Sequence, residues 1–212
     1  MEAYFVALTP DKEIYSKISQ AKKQILEKFG DQKYLKDTPH STLYVSLTED
    51  LKEVEKRLEN LTSQENAINT IIQNEFQEFP NDKLAGGGTS LGLKFNEESN
   101  AKVHTLQKKV VDALNDLRKG NIHPRYQNPE LPGFMVESIE KYGFPFVHGN
   151  DGKPILLPHV SFCCFNPPEN AEKFKEIYPI EKFAGQMQFT KLSLYKLYPD
   201  DKTELIRDFE LR

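Results

Sequence analysis

The chain has 212 residues, 38% of them apolar, with 28 Lys+Arg against 32 Asp+Glu for a formal charge of −4. That is enough apolar material for a folded domain with its own core. The acidic balance argues against long duplex nucleic acid, whose binding rests on neutralising phosphates, but a small nucleotide or an RNA end needs only local positive charge. No apolar run approaches the ~20 residues of a membrane span, and the stretch Met1 to Ala7 lacks the basic start and long apolar segment of a signal peptide. The two cysteines, Cys163 and Cys164, are neighbours. Adjacent strand residues point to opposite faces, so a bridge between them is not expected. They read as small buried hydrophobes in a reducing compartment, which points to the cytoplasm.

In chain order, Tyr4 to Leu8 reads as a buried strand, followed by a helix to Phe29 on the helical spacing of Ile14, Ile18, Ala21, Ile25, Leu26 and Phe29. Gly30 is its expected stop. Ser41 to Leu47 is the next strand, and Thr48-Glu49-Asp50 offers an N-cap for a helix over 50–62. Strands follow at Ile71 to Phe79 and Thr89 to Phe95, joined through Gly86-Gly87-Gly88, which no helix follows as a phosphate-cradling loop would need. A long helix is expected over 97–118. Residues 119–157, rich in proline and glycine, form an insert or lid with a short helix from Phe134 to Tyr142. His159 to Phe165 is a strand, Pro167 to Tyr178 a helix, and strands at Phe183 to Tyr198 and Leu205 to Leu211 close the chain. This order indicates a single bilobal α+β domain over 1–212: two pseudo-symmetric lobes, each an antiparallel-rich sheet with outer helices.

One local pattern occurs twice, as Pro39-His40-Ser41-Thr42 and Pro158-His159-Val160-Ser161, each leading into an apolar strand. Residues i and i+2 of a strand share a face. His40 therefore points with Thr42, and His159 with Ser161. Two imidazoles on one cleft can act as general base and general acid at one phosphorus. The two hydroxyls can hold its non-bridging oxygens, where charge builds. No metal or cofactor enters this chemistry, and the five histidines show no tight ligand spacing.

On these motifs the chain resembles the two-histidine (2H) phosphoesterases, the group of 2′-5′ RNA ligase-like proteins and 2′,3′-cyclic phosphodiesterases. The resemblance implies catalytic roles for His40, Thr42, His159 and Ser161, motif strands central in two lobes and facing a central cleft, and a nucleotide or RNA-end substrate with no cofactor. Two features depart from the pattern. Ser161 stands where threonine is usual, and the two histidines lie 119 residues apart, the insert supplying the excess. Hydrolysis of signalling cyclic or 2′-5′ oligonucleotides by the same four residues, or nucleotide binding without turnover, are the alternative readings.

Further substrate contacts are expected from Tyr44, two residues beyond Thr42, from Arg125 and Tyr126 in the insert, and from Tyr195 and Tyr198 on the penultimate strand. Core packing is the competing role for Tyr195 and Tyr198, and a small core that holds the loop down is the competing role for Arg125, Tyr126, Phe134, Tyr142, Phe144 and Phe146. A monomer is the default state.

Overall fold

The computed structural model describes residues 1–148, 152–199 and 202–212. In chain order the elements are β1 (Glu2–Pro10), α1 (Lys12–Phe29), β2 (Ser41–Thr48), α2 (Leu51–Thr62), β3 (Ile68–Asp82), β4 (Gly88–Phe95), α3 (Glu97–Leu114), α4 (Gly133–Tyr142), β5 (His159–Phe165), α5 (Glu169–Ile177), β6 (Gly185–Leu197) and β7 (Thr203–Glu210). Short 3-10 turns occupy Asn115–Arg118, Pro124–Tyr126 and Ile180–Lys182. The long helices begin on side-chain caps. Asp11 accepts from the amides of Glu13 and Ile14, Asp50 from Glu53, and Asn96 from Ser99. Asp11 also accepts from the Gln188 amide at 3.0 Å, which ties the start of α1 to β6.

All strands pair antiparallel in one connected sheet, in the order β2-β1-β6-β3-β4-β5, with β7 also on β6. The fold is α+β. The two half-sheets, β2-β1-β6-β7 and β3-β4-β5, meet where Ile68 to Ile72 of β3 pairs Gly185 to Phe189 of β6. This junction explains why β3 runs beyond the expected Ile71 to Phe79: its first residues pair β6, and Ile72 to Asp82 pair β4.

The helices cross between the half-sheets. Although α1 follows β1, its end lies against β5, where Phe29 meets Phe165 edge-on at 5.9 Å and the Cys164 amide donates to the Lys33 carbonyl at 2.9 Å. In turn α3, which follows β4, packs on β2 and α2. Beneath α5, the rings of Phe162, Phe165, Phe174 and Phe183 are at most 1% exposed and form one end of a continuous apolar core.

The insert is fastened at the end of α4. Arg118 is buried, and its guanidinium donates to the carbonyls of Glu140 and Lys141, both at 2.8 Å, and to Asn121 at 3.2 Å. The last carbonyls of a helix have no partner within it, so these bonds satisfy free acceptors, with Asn115 Nδ2 also donating to the Lys141 carbonyl at 3.3 Å. Tyr44 closes the same end by donating to the Tyr142 carbonyl at 2.9 Å. No helix among the described residues is long and apolar enough to cross a membrane.

Candidate active site

The two motif strands end the hydrogen-bonded path instead of lying inside their half-sheets, and they approach each other across the middle of the molecule. Between them is a cavity of about 410 Å³ lined by His40, Thr42, His159 and Ser161 together. All four side chains are half-buried. A space of this size falls in the ~300–1,000 Å³ range of small-molecule pockets.

Both histidines are locked by the same local device. His40 Nδ1 lies 2.7 Å from the Thr38 carbonyl, and His159 Nδ1 lies 2.8 Å from the Leu157 carbonyl. A carbonyl oxygen only accepts, so each Nδ1 carries the proton, and the neutral ring presents Nε2 as a lone pair. The proline between each histidine and its carbonyl confines the preceding residue to extended backbone. That restraint fixes the oxygen that holds the ring. On the other side of the first ring, Thr42 Oγ1 donates to His40 Nε2 at 3.0 Å.

The rings have different neighbours. Phe5 lies 5.1 Å from His40, and Tyr195, stacked on Phe5 at 4.7 Å, is 6.5 Å from the His40 ring. Phe79 lies 4.7 Å from the His159 ring. Desolvation pushes His40 down to about 4, against its bond to the Thr38 carbonyl, and the positive charges of Lys22, His159 and Arg125 add to the effect. His159 is also held below the usual histidine range by desolvation, but its bond to Leu157 and the Asp82 carboxylate both work to restore its proton. Electrostatics therefore favour a neutral imidazole at His40 and more readily yield an imidazolium at His159.

Tyr44 differs from expectation. In the β1–β2 pairing Ala7 faces Thr42 and Val6 faces Tyr44, leaving Leu43 as an unpaired bulge residue. Residues directly opposite share a face, and Val6 and Ala7 are on opposite faces. Tyr44 is thereby turned from the cleft into the core, fully buried, while Val45 takes its place on the cavity wall beside Phe5. β5 has the matching irregularity at Phe162, again just after the motif hydroxyl.

Arg125 and Tyr126 line the cavity, Arg125 lying 5.7 Å over the Tyr34 ring and Tyr126 packing edge-on to Phe144 at 5.8 Å. Desolvation raises the Tyr126 hydroxyl to about 12. Tyr195 stands behind the first motif, accepting from Thr38 Oγ1 at 3.4 Å, and is not on the wall. Tyr198 lies outside the cavity, its hydroxyl donating to Glu204. Both free cysteines are buried, and desolvation pushes the Cys163 thiol up to about 12. Of the insert aromatics, Tyr126, Phe144 and Phe146 are buried, as the packing role requires, and Phe134 is exposed.

Three residues at the site were not singled out from sequence. Lys22 borders the cavity from α1. Its signal was present: it falls four residues after Ile18 and three before Ile25, a lysine on an apolar stripe. Asp82 sits in the β3–β4 hairpin and accepts from Ser90 Oγ at 2.6 Å. Gly92, opposite Ser161 on β4, has no side chain because one would meet the His159 ring, with Cδ2 2.8 Å from a Cβ built there. Among the described residues, no group of three or more His, Cys, Asp or Glu side chains is placed to hold a metal ion.

No protein-family model matches the chain, and no curated protein matches its sequence. Solved structures do. TT0787 of Thermus thermophilus superposes with a TM-score of 0.58 at 14% identity, covering 99% of this chain and 98% of that one. E. coli LigT complexed with NADP+ gives a TM-score of 0.53 at 13% identity over the same shares, and LigT complexed with 3′-AMP gives 0.53 at 11%. The superposition runs nearly end to end on both chains, so the chain shares the fold of TT0787 and LigT.

Proposed function

We propose that the chain is a phosphodiesterase acting on a nucleotide or RNA-end phosphodiester, a 2′,3′-cyclic phosphate or a 2′-5′ linkage, with His40 as general base and His159 as general acid. The observation that carries this reading is the pair of Nδ1-locked imidazoles sharing one cavity with two hydroxyls. The same-fold structures of LigT hold NADP+, 3′-AMP and phosphate, which supports a nucleotide phosphate as the ligand class.

In the forward step on a cyclic phosphate, water attacks phosphorus and gives its proton to His40 Nε2. The bond from phosphorus to one ribose oxygen breaks, and that oxygen takes the proton from His159 Nε2. One P–O bond forms, one breaks, and a ribose phosphate monoester leaves. Thr42 turns its hydroxyl from His40 to a non-bridging oxygen, and Ser161 serves the other side. Lys22 and Arg125 suit His40 to the base role because their charge keeps its lone pair free. Asp82 suits His159 to the acid role. The two imidazoles supply both proton transfers, so turnover is expected to persist in EDTA.

Product analysis on a panel of 2′,3′-cyclic nucleotides and 2′-5′ dinucleotides, with EDTA present, tests the reading. Monoester product from the wild type, with losses of ~10²–10⁴-fold in His40→Ala and His159→Ala, is the expected result. Turnover that survives either substitution would overturn it.

A further inference from the structure

Lys22 neither gives nor takes a proton in the acid–base step, although its charge acts on His40. Lys22 lies on the apolar stripe of α1 among Ile14, Ile18, Ala21 and Ile25 and is only 7% exposed, yet it borders the cavity that holds both histidines. Its Nζ donates to the carbonyl oxygens of Tyr34 at 3.0 Å and Asp37 at 2.7 Å. An ammonium has three N–H donors, so one is unused among the described residues. Carbonyls fix the head group but bring no full negative charge, and the Asp37 carboxylate acts on it only through space. Buried cations are ordinarily matched by an anion in direct contact. Here the protein supplies no such contact among the described residues, and the cavity is the direction from which one can come.

We propose that Lys22 is the anion-binding residue of the cleft, giving its third N–H to a non-bridging oxygen of the substrate phosphoryl group alongside Thr42 and Ser161. The proposal rests on the phosphodiesterase reading for its choice of anion and names a residue that the paired motifs do not contain. The positive charge of Lys22 is already felt at His40, which places it near the reacting centre. Burial holds Lys22 down to about 8, a cost that a bound phosphate offsets. Seating Nζ on the 34–37 segment also points the ammonium without the freedom of a surface lysine, so little ordering remains to be done when the anion arrives.

The test uses inorganic phosphate as the probe and the whole chain as the protein. The ¹⁵Nζ signal of Lys22 is followed by NMR at fixed pH while phosphate is added, and phosphate affinity is measured for the wild type, Lys22→Met and Lys22→Arg. The Lys22 signal is expected to shift saturably. Lys22→Met is expected to bind phosphate about 10–100-fold more weakly, as loss of one charge-assisted bond implies, and Lys22→Arg to recover part of the loss. A residue that merely pins the 34–37 segment would lower the melting temperature in Lys22→Met and leave phosphate affinity within about twofold; that outcome overturns the proposal. So does an unmoved Nζ signal at saturation, which decides the matter even if Lys22→Met does not fold. Because these readouts need no turnover, the two readings fail separately. Phosphate held by Lys22 in a protein inactive on every diester leaves this inference standing and removes the activity. Phosphate affinity unchanged in Lys22→Met, in a protein whose diester turnover is still lost in His40→Ala, does the reverse.

Discussion

The two motif strands are near copies in sequence and in local geometry but not in surroundings. Each histidine follows a proline, gives its Nδ1–H to the carbonyl two residues back, and shares the cavity with a hydroxyl two residues on. His40, however, has a hydroxyl on Nε2 and cations nearby, whereas His159 has no protein partner on Nε2 among the described residues and an aspartate close enough to favour its proton. Backbone pattern sets where an imidazole points; its neighbours decide which way a proton moves.

The sharpest way to break this comparison is to remove one ring at a time and follow kcat/KM against pH. Both alanine variants are expected to lose ~10²–10⁴-fold, but each to erase a different limb. The wild-type profile is expected to rise through about 4 as His40 deprotonates and to fall below 6.5 as His159 does, since both rings are held under the ordinary histidine value. An optimum above pH 7 for the free enzyme would contradict the assignment. Next in size is Gly92→Ala. A methyl there displaces the His159 ring, and a misplacement of about 1 Å can cost ~10²-fold. The expected signature is a fall in kcat confined to the His159 side, with the His40 resonance unmoved by NMR.

Arg118→Ala is expected to cost about 2–3 kcal/mol in urea unfolding, because it removes a buried guanidinium that donates to the carbonyls of Asn121, Glu140 and Lys141 and loosens the wall that carries Arg125 and Tyr126. A smaller effect separates the two rings in stability. A histidine whose folded pKa lies below its unfolded value takes up protons on unfolding. His40 therefore contributes fully above pH 6.5 and loses that contribution as pH falls to about 4. His40→Gln is expected to flatten the decline of stability over that window, measured by urea midpoints at a series of pH values. Smallest of all, Asp82→Asn removes the charge that supports the His159 proton and is expected to move the alkaline limb of kcat/KM to lower pH.

Most of the secondary structure was legible because the apolar spacing is regular and the caps are conventional: Asp11, Asp50 and Asn96 each start a helix with a side-chain oxygen. The motif residues were legible because residues two apart on a strand share a face. That same rule misled at Tyr44, since a bulge at Leu43 inverts the alternation and a bulge is written in the pairing of two strands rather than in one. Which half-sheet a helix covers was not legible either, because amphipathic spacing shows that a helix has a buried face without naming its partner. Lys22 was visible as an apolar-stripe lysine, but its meaning depends on the carbonyls of Tyr34 and Asp37, which only the folded loop brings to it. Tyr195 and Tyr198 lie three apart in sequence, and the pattern alone could not separate the residue behind the first motif from the one bonded to Glu204.

The crossing of α1 and α3 has a consequence for how the chain can be divided. A fragment ending in the Gly86-Gly87 turn would keep α1 but lack β5, against which Phe29 packs, while β2 would lose the cover of α3. The complementary fragment would carry α3 without β2 and β5 without the end of α1. Neither piece closes its own core, so each is expected to be unfolded alone and to regain structure on mixing with the other. The molecule thus behaves as a reciprocal clasp, in which each half is completed by a helix that the other half encodes.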